Sequence, residues 1–144
     1  MQSKIIPGIV KNQNVKAIGK GISVQKAAAE MANSKIACLL VVEDNKLVGI
    51  FSERDITAKV VALGLDPNQI SVGSVMTPNP DVIGPDNTAK EALAMMQSRG
   101  YRHLPIVSND KILGILSIRD LFSAVKVSLE EDLTACENYI RGEA

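Results

Sequence analysis

The sequence predicts an α+β fold with mixed sheets, built from two tandem β-α-β-β-α repeats packed about a pseudo-twofold axis, plus a C-terminal helix. The main observation is a phrase that occurs twice: VGIFSERD at 48–55 returns as LGILSIRD at 113–120. One offset of 65 positions aligns the two halves without a gap over most of the chain. Such a fixed register indicates internal duplication. Because one half alone would bury little apolar surface, the halves are expected to share a core.

Each half begins with the same two elements. A short leading strand is predicted to end near Ile18 in the first half and near Ile83 in the second. An amphipathic helix follows. Ser23 is a suitable N-cap for the first of these helices, and Thr88 with Glu91 has the spacing of a capping box for the second.

Two apolar strands and a second helix complete each half. The strands are ACLLVV and KLVGIFS in the first copy, HLPIV and KILGILS in the second, and the turns EDN and SND between them favour hairpins. The last helix begins at the repeated phrase and is expected to run to about Leu63 or Val127. The breakers in GLDPNQ, 64–69, link the copies. The predicted divisions are repeat 1 at 5–66, repeat 2 at 67–127 and an amphipathic helix at 128–144.

The C-terminal segment lies outside the repeat. Ser128 and Glu131 have the spacing of another capping box, and Arg141 with Gly142 is a typical helix end. An apolar stripe at helical spacing runs along this segment. Either the stripe packs on its own module or it meets a second subunit, and we favour a homodimer. The stripe consists of Leu129, Leu133, Cys136 and Ile140.

Composition excludes several function classes. Lys+Arg and Asp+Glu both number 16, and aromatic residues make up 3% of the chain, which argues against nucleic acid as a partner. No apolar run is long enough to span or anchor in a membrane. The two cysteines and single histidine do not have the spacing of a metal site or a disulfide framework. We therefore expect a cytoplasmic protein without a metal.

The repeated phrase has the chemistry of a ribose-phosphate clamp. It lies where a strand turns into a helix, so unpaired backbone N–H groups and the helix dipole favour a phosphate there. Arg54 or Arg119 could add a charge-assisted contact, and the following aspartate offers two acceptor oxygens to ribose hydroxyls. Gly49 and Gly114 would permit close backbone approach. Ser-x-x-Asp is also a helix-capping pattern, so two plain helix caps are the alternative.

A wider set of motifs carries a family resemblance. The stretches SVMTPNPDVIGPDNTAKEALAMMQSRGYRHLPIV, KILGILSIRDLFSAV and KLVGIFSERDITAKV resemble the cystathionine-β-synthase (CBS) domain family, in which two tandem copies form one module. The resemblance covers roughly residues 5–126 and is to stand-alone prokaryotic proteins with a tandem CBS pair. It implies ligands that contain adenosine, with AMP expected and ADP, ATP, NAD or S-adenosylmethionine as alternatives.

The resemblance also implies which residues contact the ligand. Asp55 and Asp120 would hold ribose hydroxyls. One cleft would be lined by the second repeat and the other by the first. The residues predicted for the second cleft are Thr77, Asn79, Tyr101, Arg102, His103, Pro105, Ser117, Arg119 and Asp120, and those for the first cleft are Ala37, Cys38, Ser52, Arg54 and Asp55.

The two clefts are not expected to be equal. Where the second half has GYRHLP, the first has KIACLL, and Glu53 stands where the second half has Ile118. The first half also matches the family poorly at the positions equivalent to its VMTPNP stretch. The second cleft is therefore predicted to bind a phosphorylated nucleotide more tightly. The poorly matching positions are Asn12, Gln13 and Val15.

The expected function is regulatory. No nucleophile and orienting group accompany His103, so the chain is not expected to be an enzyme or to carry a catalytic cofactor. Instead it would sense adenine nucleotides and signal to an unidentified regulated protein through dimer geometry. A protein-interaction module that does not bind nucleotide is the first alternative, and an enzyme acting on a nucleotide is the second.

Overall fold

The computed structural model describes residues 4–10 and 15–142. A wide turn at Ile5–Ile9 is the first element of the described part. The elements that follow are β1 (Ala17–Gly19), α1 (Val24–Ser34), β2 (Cys38–Glu43), β3 (Lys46–Ser52), α2 (Glu53–Ile56, continued by wider helical turns over Thr57–Val61), α3 (Val72–Val75), β4 (Thr77–Pro78), α4 (Ala89–Arg99), β5 (His103–Ser108), β6 (Lys111–Ser117) and α5 (Ile118–Ile140).

The register of the strands confirms the duplication. In the first sheet, of order β1-β2-β3-β4, Ile18 pairs in parallel with Val41. In the second sheet, β5 pairs with β6, and Ile83 forms a parallel bridge to Ile106, 65 positions later than the first pair. The hairpin registers shift just after Val41 and just after Ile106, so even the irregularity is repeated.

Both hairpins turn through two residues with left-handed backbone. Asp44 and Asn45 have φ of 51° and 62°, and Asn109 and Asp110 have φ of 52° and 61°. Positive φ at both central residues is the geometry that matches the twist of a two-residue hairpin, and Asn and Asp tolerate it well. The predicted hairpins are confirmed, and they place the repeated phrase at the end of the second strand of each.

The two cores exchange their leading segments. Ile5 and Val10 lie in the core formed by α4, β5, β6 and Leu121, whereas Val72 and Val75 lie in the core formed by α1, β2 and β3. The cores therefore do not follow the predicted division at 66/67. Each repeat in sequence supplies the first segment of its neighbour's core, which is a reciprocal arrangement expected of a twofold-related pair.

Gly49 allows the crossing segment to pack closely on β3. A Cβ atom at this position would lie 2.3 Å from the Sδ of Met76, which follows α3. The sequence suggested that Gly49 permits the approach of a ligand. The structure shows instead that it permits the approach of the chain's own methionine.

The predicted helix starts agree with the structure at α1 and α4 but not in the C-terminal segment. The hydroxyls of Ser23 and Thr88 accept from the third residue of α1 and α4, as predicted, although the Glu91 carboxylate bonds Asn87 rather than closing a capping box. The predicted helix start at Ser128 and Glu131 is wrong, because α5 runs unbroken through both residues. Residues 128–140 are helical as a continuation of the helix that begins at the second phrase. No helix in the described ranges is both long and apolar enough to cross a membrane.

Candidate functional site: two clefts with a common wall

Two clefts open where the repeated phrases meet the other repeat. The Asp55 cleft has a volume of about 460 Å³ and the Asp120 cleft about 920 Å³, both within the range of small-molecule sites. The Asp55 cleft is lined by Ala37, Ile50, Ser52, Glu53, Arg54, Asp55, Ala58, Lys59, Thr77, Pro80, Asp81 and Arg99–His103. The Asp120 cleft is lined by Val15, Lys16, Met31, Ala32, Ser34–Cys38, Glu53, Arg102, His103, Ile115 and Ser117–Asp120.

The first phrase forms a capping box whose aspartate is buried. The Ser52 backbone N–H donates to Asp55 Oδ2 at 2.9 Å, and the Asp55 N–H donates to Ser52 Oγ at 3.4 Å. The other oxygen, Oδ1, lies 2.9 Å from Lys59 Nζ. Asp55 is 7% exposed, so its carboxylate is held in one orientation at the base of the cleft. Oδ2 also accepts from the Ser52 hydroxyl at 3.2 Å, so Oδ1 keeps the further lone pair with which the carboxylate could accept from a ligand hydroxyl.

The second phrase forms the same capping box with one oxygen left over. The Ser117 backbone N–H donates to Asp120 Oδ2 at 2.9 Å, and the Asp120 N–H donates to Ser117 Oγ at 3.1 Å. Among the described residues, Asp120 Oδ1 has no hydrogen-bond or ion-pair partner. Asp120 is half-buried, so this oxygen is available as an acceptor in the Asp120 cleft.

The helix starts leave little backbone for a phosphate. Besides the capping bonds, the Glu53 N–H donates to Ala37 O at 3.0 Å and the Ile118 N–H donates to Arg102 O at 2.8 Å. Two of the first three helical N–H groups in each copy are therefore already paired. The sequence expectation of a phosphate site built from unpaired backbone N–H groups is met only in part, because the capping box and the segment before the neighbouring strand take up two of the three donors. A phosphate must be held chiefly by side chains.

Both clefts have cationic walls. The Asp55 cleft carries four cationic and three acidic side chains, and the Asp120 cleft carries four cationic and two acidic ones. In the Asp55 cleft the cations come from three elements, which bring guanidinium groups to one opening. Arginine forks suit phosphate because two parallel N–H donors match two of its oxygens. These cations are Arg54, Lys59, Arg99 and Arg102 in the Asp55 cleft and Lys16, Lys35, Arg102 and Arg119 in the Asp120 cleft.

One wall of the Asp55 cleft is a small polar network. The Tyr101 hydroxyl donates to Asp81 Oδ2 at 3.0 Å, and Arg99 Nε lies 3.6 Å from the same oxygen. The hydrogen bond to Asp81 raises the pKa of Tyr101. The network holds the aromatic ring and one guanidinium beside the cleft opening, where they could contact a base and a phosphate.

Two residues at the strand starts are affected by burial. Burial lowers the pKa of His103, although the carboxylates of Asp120 and Glu53 oppose the effect. The neutral form of the imidazole is therefore favoured over the imidazolium. Burial also raises the pKa of the Cys38 thiol to about 12, which keeps it an unreactive apolar side chain.

The structure regroups the predicted site residues. Thr77 and Tyr101 line the Asp55 cleft, not the cleft of Asp120, while Arg102 and His103 line both. The predicted grouping by repeat is wrong, because the leading segment of the second repeat crosses to β3, where Thr77 pairs with Ile50. The prediction that the Asp120 cleft binds more tightly depended on this grouping, so the structure removes its basis.

Two predicted contacts lie outside both clefts. Asn79 is exposed and its N–H donates to Val48 O at 3.0 Å, and Pro105 is buried in β5. Of the residues expected to weaken the first cleft, Val15 lines the Asp120 cleft instead. Asn12 and Gln13 lie outside the described residues.

Sequence reasoning missed several lining residues. Lys59 could have been found, since it lies four residues after Asp55 on the same helix face. Asp81 and Arg99 gave no such signal, because only packing brings the segment after β4 beside the end of α4 and Tyr101.

Comparison with known proteins decides the family. A model of the CBS domain matches residues 9–62 and again 72–127. The chain belongs to the CBS-domain family. It is a tandem CBS pair, a regulatory type of module.

Relatives of this CBS pair differ widely in length. CBS domain-containing protein CBSCBSPB3 of Arabidopsis thaliana is 38% identical over 110 residues, which are 75% of this chain and 20% of that protein. The chain thus spans about a fifth of that relative's length. An uncharacterized 17.7 kDa protein of Acidianus ambivalens is 34% identical over 118 residues, 81% of this chain and 70% of that protein.

Solved structures share the fold. A signal-transduction protein with CBS domains from Burkholderia ambifaria has a TM-score of 0.79 and 30% identity, covering 83% of this chain and 92% of that one. A CBS domain protein from Pyrobaculum aerophilum, solved in complex with AMP, has a TM-score of 0.71 and 22% identity, covering 78% of this chain and 86% of that one.

Proposed function

We propose that this CBS pair binds adenine nucleotides in its clefts, with AMP as the expected ligand, and transmits ligand state to a regulated protein. The observation that carries the proposal is the convergence of a fixed aspartate and four cationic side chains in each cleft. A carboxylate accepts from vicinal ribose hydroxyls, and the cations bind phosphate. The complex of AMP with the related protein from Pyrobaculum aerophilum supports the choice of ligand. ADP, ATP, NAD and S-adenosylmethionine share the adenosine unit and are the alternatives.

The Asp55 cleft is proposed as the tighter site for AMP. It has half the volume of the Asp120 cleft, so it encloses a nucleotide more closely. It also contains Thr77 and Pro80 of the VMTPNP stretch together with Tyr101, the residues that match the family best. The sequence predicted tighter binding in the cleft of Asp120. The proposal reverses that order.

The test is a calorimetric titration with AMP, ADP, ATP, NAD and S-adenosylmethionine. Asp55→Asn and Asp120→Asn retain a capping oxygen but exchange the second carboxylate oxygen for an amide donor. Hydrogen bonds to a charged group contribute about 1.5–3 kcal/mol each, so each variant is expected to lose at least about tenfold in affinity at its own cleft. Asn79→Ala is the matched control, since Asn79 lies outside both clefts. Unchanged affinity in both aspartate variants would contradict the proposal.

A nucleotide-independent interaction module is the second candidate. The observation that favours it is that both repeated phrases form complete capping boxes, which gives them a structural role without any ligand. In that case none of the five compounds would bind to wild type. Enzymatic turnover of a nucleotide is not part of either proposal.

A homodimer is proposed as the assembly that transmits the signal. The apolar residues of α5 beyond Val127 do not pack on the module: Leu129 is 63% exposed, Leu133 60% and Ile140 77%. Pairing with a second copy would cover them. The two free cysteines, Cys38 and Cys136, support a reducing compartment such as the cytoplasm.

A further inference from the structure

The two clefts have a common wall. Four residues line both of them: Ala37, Glu53, Arg102 and His103. The wall is built from the starts of β2, β5 and α2. Its backbone is fixed, since the Glu53 N–H donates to Ala37 O and the Ile118 N–H donates to Arg102 O. The side chains of the wall are what the clefts have in common.

The charged side chains of this wall, those of Glu53 and Arg102, are available to contact a ligand. Arg102 and Glu53 are exposed, and within the described part of the chain neither side chain has a hydrogen bond or ion pair. The third polar member, His103, is half-buried. A guanidinium that turns toward one cleft and donates two N–H groups to a phosphate there has fewer donors left for the other cleft. A phosphate in either cleft would therefore compete for the same Arg102.

We infer that the two clefts are negatively coupled through Arg102, so that a phosphorylated ligand in one cleft weakens binding of a second in the other. The inference rests on the proposed nucleotide binding. When Arg102 turns to a phosphate in the Asp55 cleft, the Asp120 cleft loses one of its cations and still contains Glu53. Coupling free energies are reciprocal, so the same loss applies in the other order. We expect a coupling of about tenfold, within the usual range.

The experiment measures each cleft alone and then both together. Ala58 and Ala32 are exposed and line only the Asp55 cleft and only the Asp120 cleft, so Ala58→Trp and Ala32→Trp plug one cleft each. AMP is titrated calorimetrically into wild type and both plugged variants. The overall association constant for filling both wild-type clefts is expected to be about tenfold below the product of the two single-cleft constants. Ala58→Phe and Ala32→Phe serve if a tryptophan variant does not fold.

Two controls isolate Arg102 and the phosphate. In the Arg102→Ala background, with the same plugs, the overall constant is expected to approach the product of the single-cleft constants. Here the deficit is the factor by which the overall constant falls below the product of the single-cleft constants. Arg119 lines only the Asp120 cleft, so Arg119→Ala should weaken AMP binding in that cleft and leave the deficit unchanged. Adenosine, which has no phosphate, should show no deficit in wild type.

The outcomes separate this inference from the proposed function. Binding of AMP without a deficit in wild type, or a deficit that survives Arg102→Ala, overturns the coupling and leaves the nucleotide site standing. No binding of AMP to wild type or to either plugged variant overturns both.

Discussion

Asp55 Oδ1 and Lys59 Nζ lie 2.9 Å apart, one helical turn from each other at the base of the Asp55 cleft. The same ammonium donates to Val75 O at 2.9 Å, so Lys59 ties the start of α2 to α3 of the other repeat. The position 65 residues later is Ala124. There a cavity of about 370 Å³ lies beside Asp120 and Ala124. The two repeats therefore differ where each meets the leading segment of the other.

The first prediction exchanges the side chains of Lys59 and Ala124 in two separate variants. Lys59→Ala leaves a largely buried carboxylate without its cation, so the free energy of unfolding should fall by about 1–2 kcal/mol, a value reduced for the partial exposure of Lys59. Ala124→Lys should add an i,i+4 pair to Asp120 and raise it by up to about 1 kcal/mol. Urea unfolding monitored by circular dichroism measures both. Lys126→Ala removes an exposed lysine whose side chain has no hydrogen bond or ion pair within the described part of the chain, and it should change stability by less than about 0.5 kcal/mol. Equal losses in Lys59→Ala and Lys126→Ala would contradict the prediction.

The second prediction concerns the caps. Ser117 Oγ accepts from the third residue of α5, and removal of such a cap costs about 1 kcal/mol. Ser117→Ala should lower the free energy of unfolding by that amount. Ser123→Ala, an exposed serine of the same helix, is the control and should leave it unchanged. An unfolding midpoint that Ser117→Ala does not move would show that the capping box contributes nothing to stability.

Much of the fold could be predicted because the sequences of the strands show the duplication directly. One register of 65 residues relates Ile18 to Ile83 and the hairpin at Asp44 to that at Asn109, and each turn carries the residues that its left-handed backbone favours. Local chemistry was sufficient for these elements.

The exchange of leading segments could not be predicted in the same way. Ile5 and Val72 are apolar residues that either core would accept, and only the packing of the whole chain decides which core takes them. The grouping of Thr77 with Asp55 follows from that exchange, so the predicted clefts were wrong for the same reason. The unbroken α5 did have a sequence signal: after Gly114 the next glycine or proline is Gly142, so nothing ends the helix near Val127.

The third prediction uses the single histidine of the chain. The pKa of His103 is lowered in the folded protein from its usual 6.5, because burial disfavours the imidazolium. As pH falls through 6.5 the unfolded chain takes up a proton before the folded one does, so stability should fall, by no more than about 1.4 kcal/mol per pH unit. Urea unfolding at pH 7.5 and pH 5.5 should show the lower stability at pH 5.5.

His103→Gln is the control for this pH dependence. It removes the group, and no other histidine titrates in that interval. The difference between the two pH values should shrink in the variant. A difference as large as that of wild type would assign the pH dependence to other groups.

The fourth prediction tests the proposed dimer. Leu133 lies in the middle of the exposed stripe of α5, and a carboxylate there would have to be desolvated when two copies pair. Leu133→Glu should therefore shift the protein from dimer to monomer in size-exclusion chromatography with light scattering. Thr134→Glu adds the same charge one residue away, where the side chain points about 100° from the stripe, and should leave the dimer intact. A wild-type monomer at all concentrations tested, or equal dissociation by both variants, would exclude α5 as the dimer contact. If the dimer is lost only in Leu133→Glu, the stripe that the module itself leaves uncovered is the surface through which ligand state could reach a second copy.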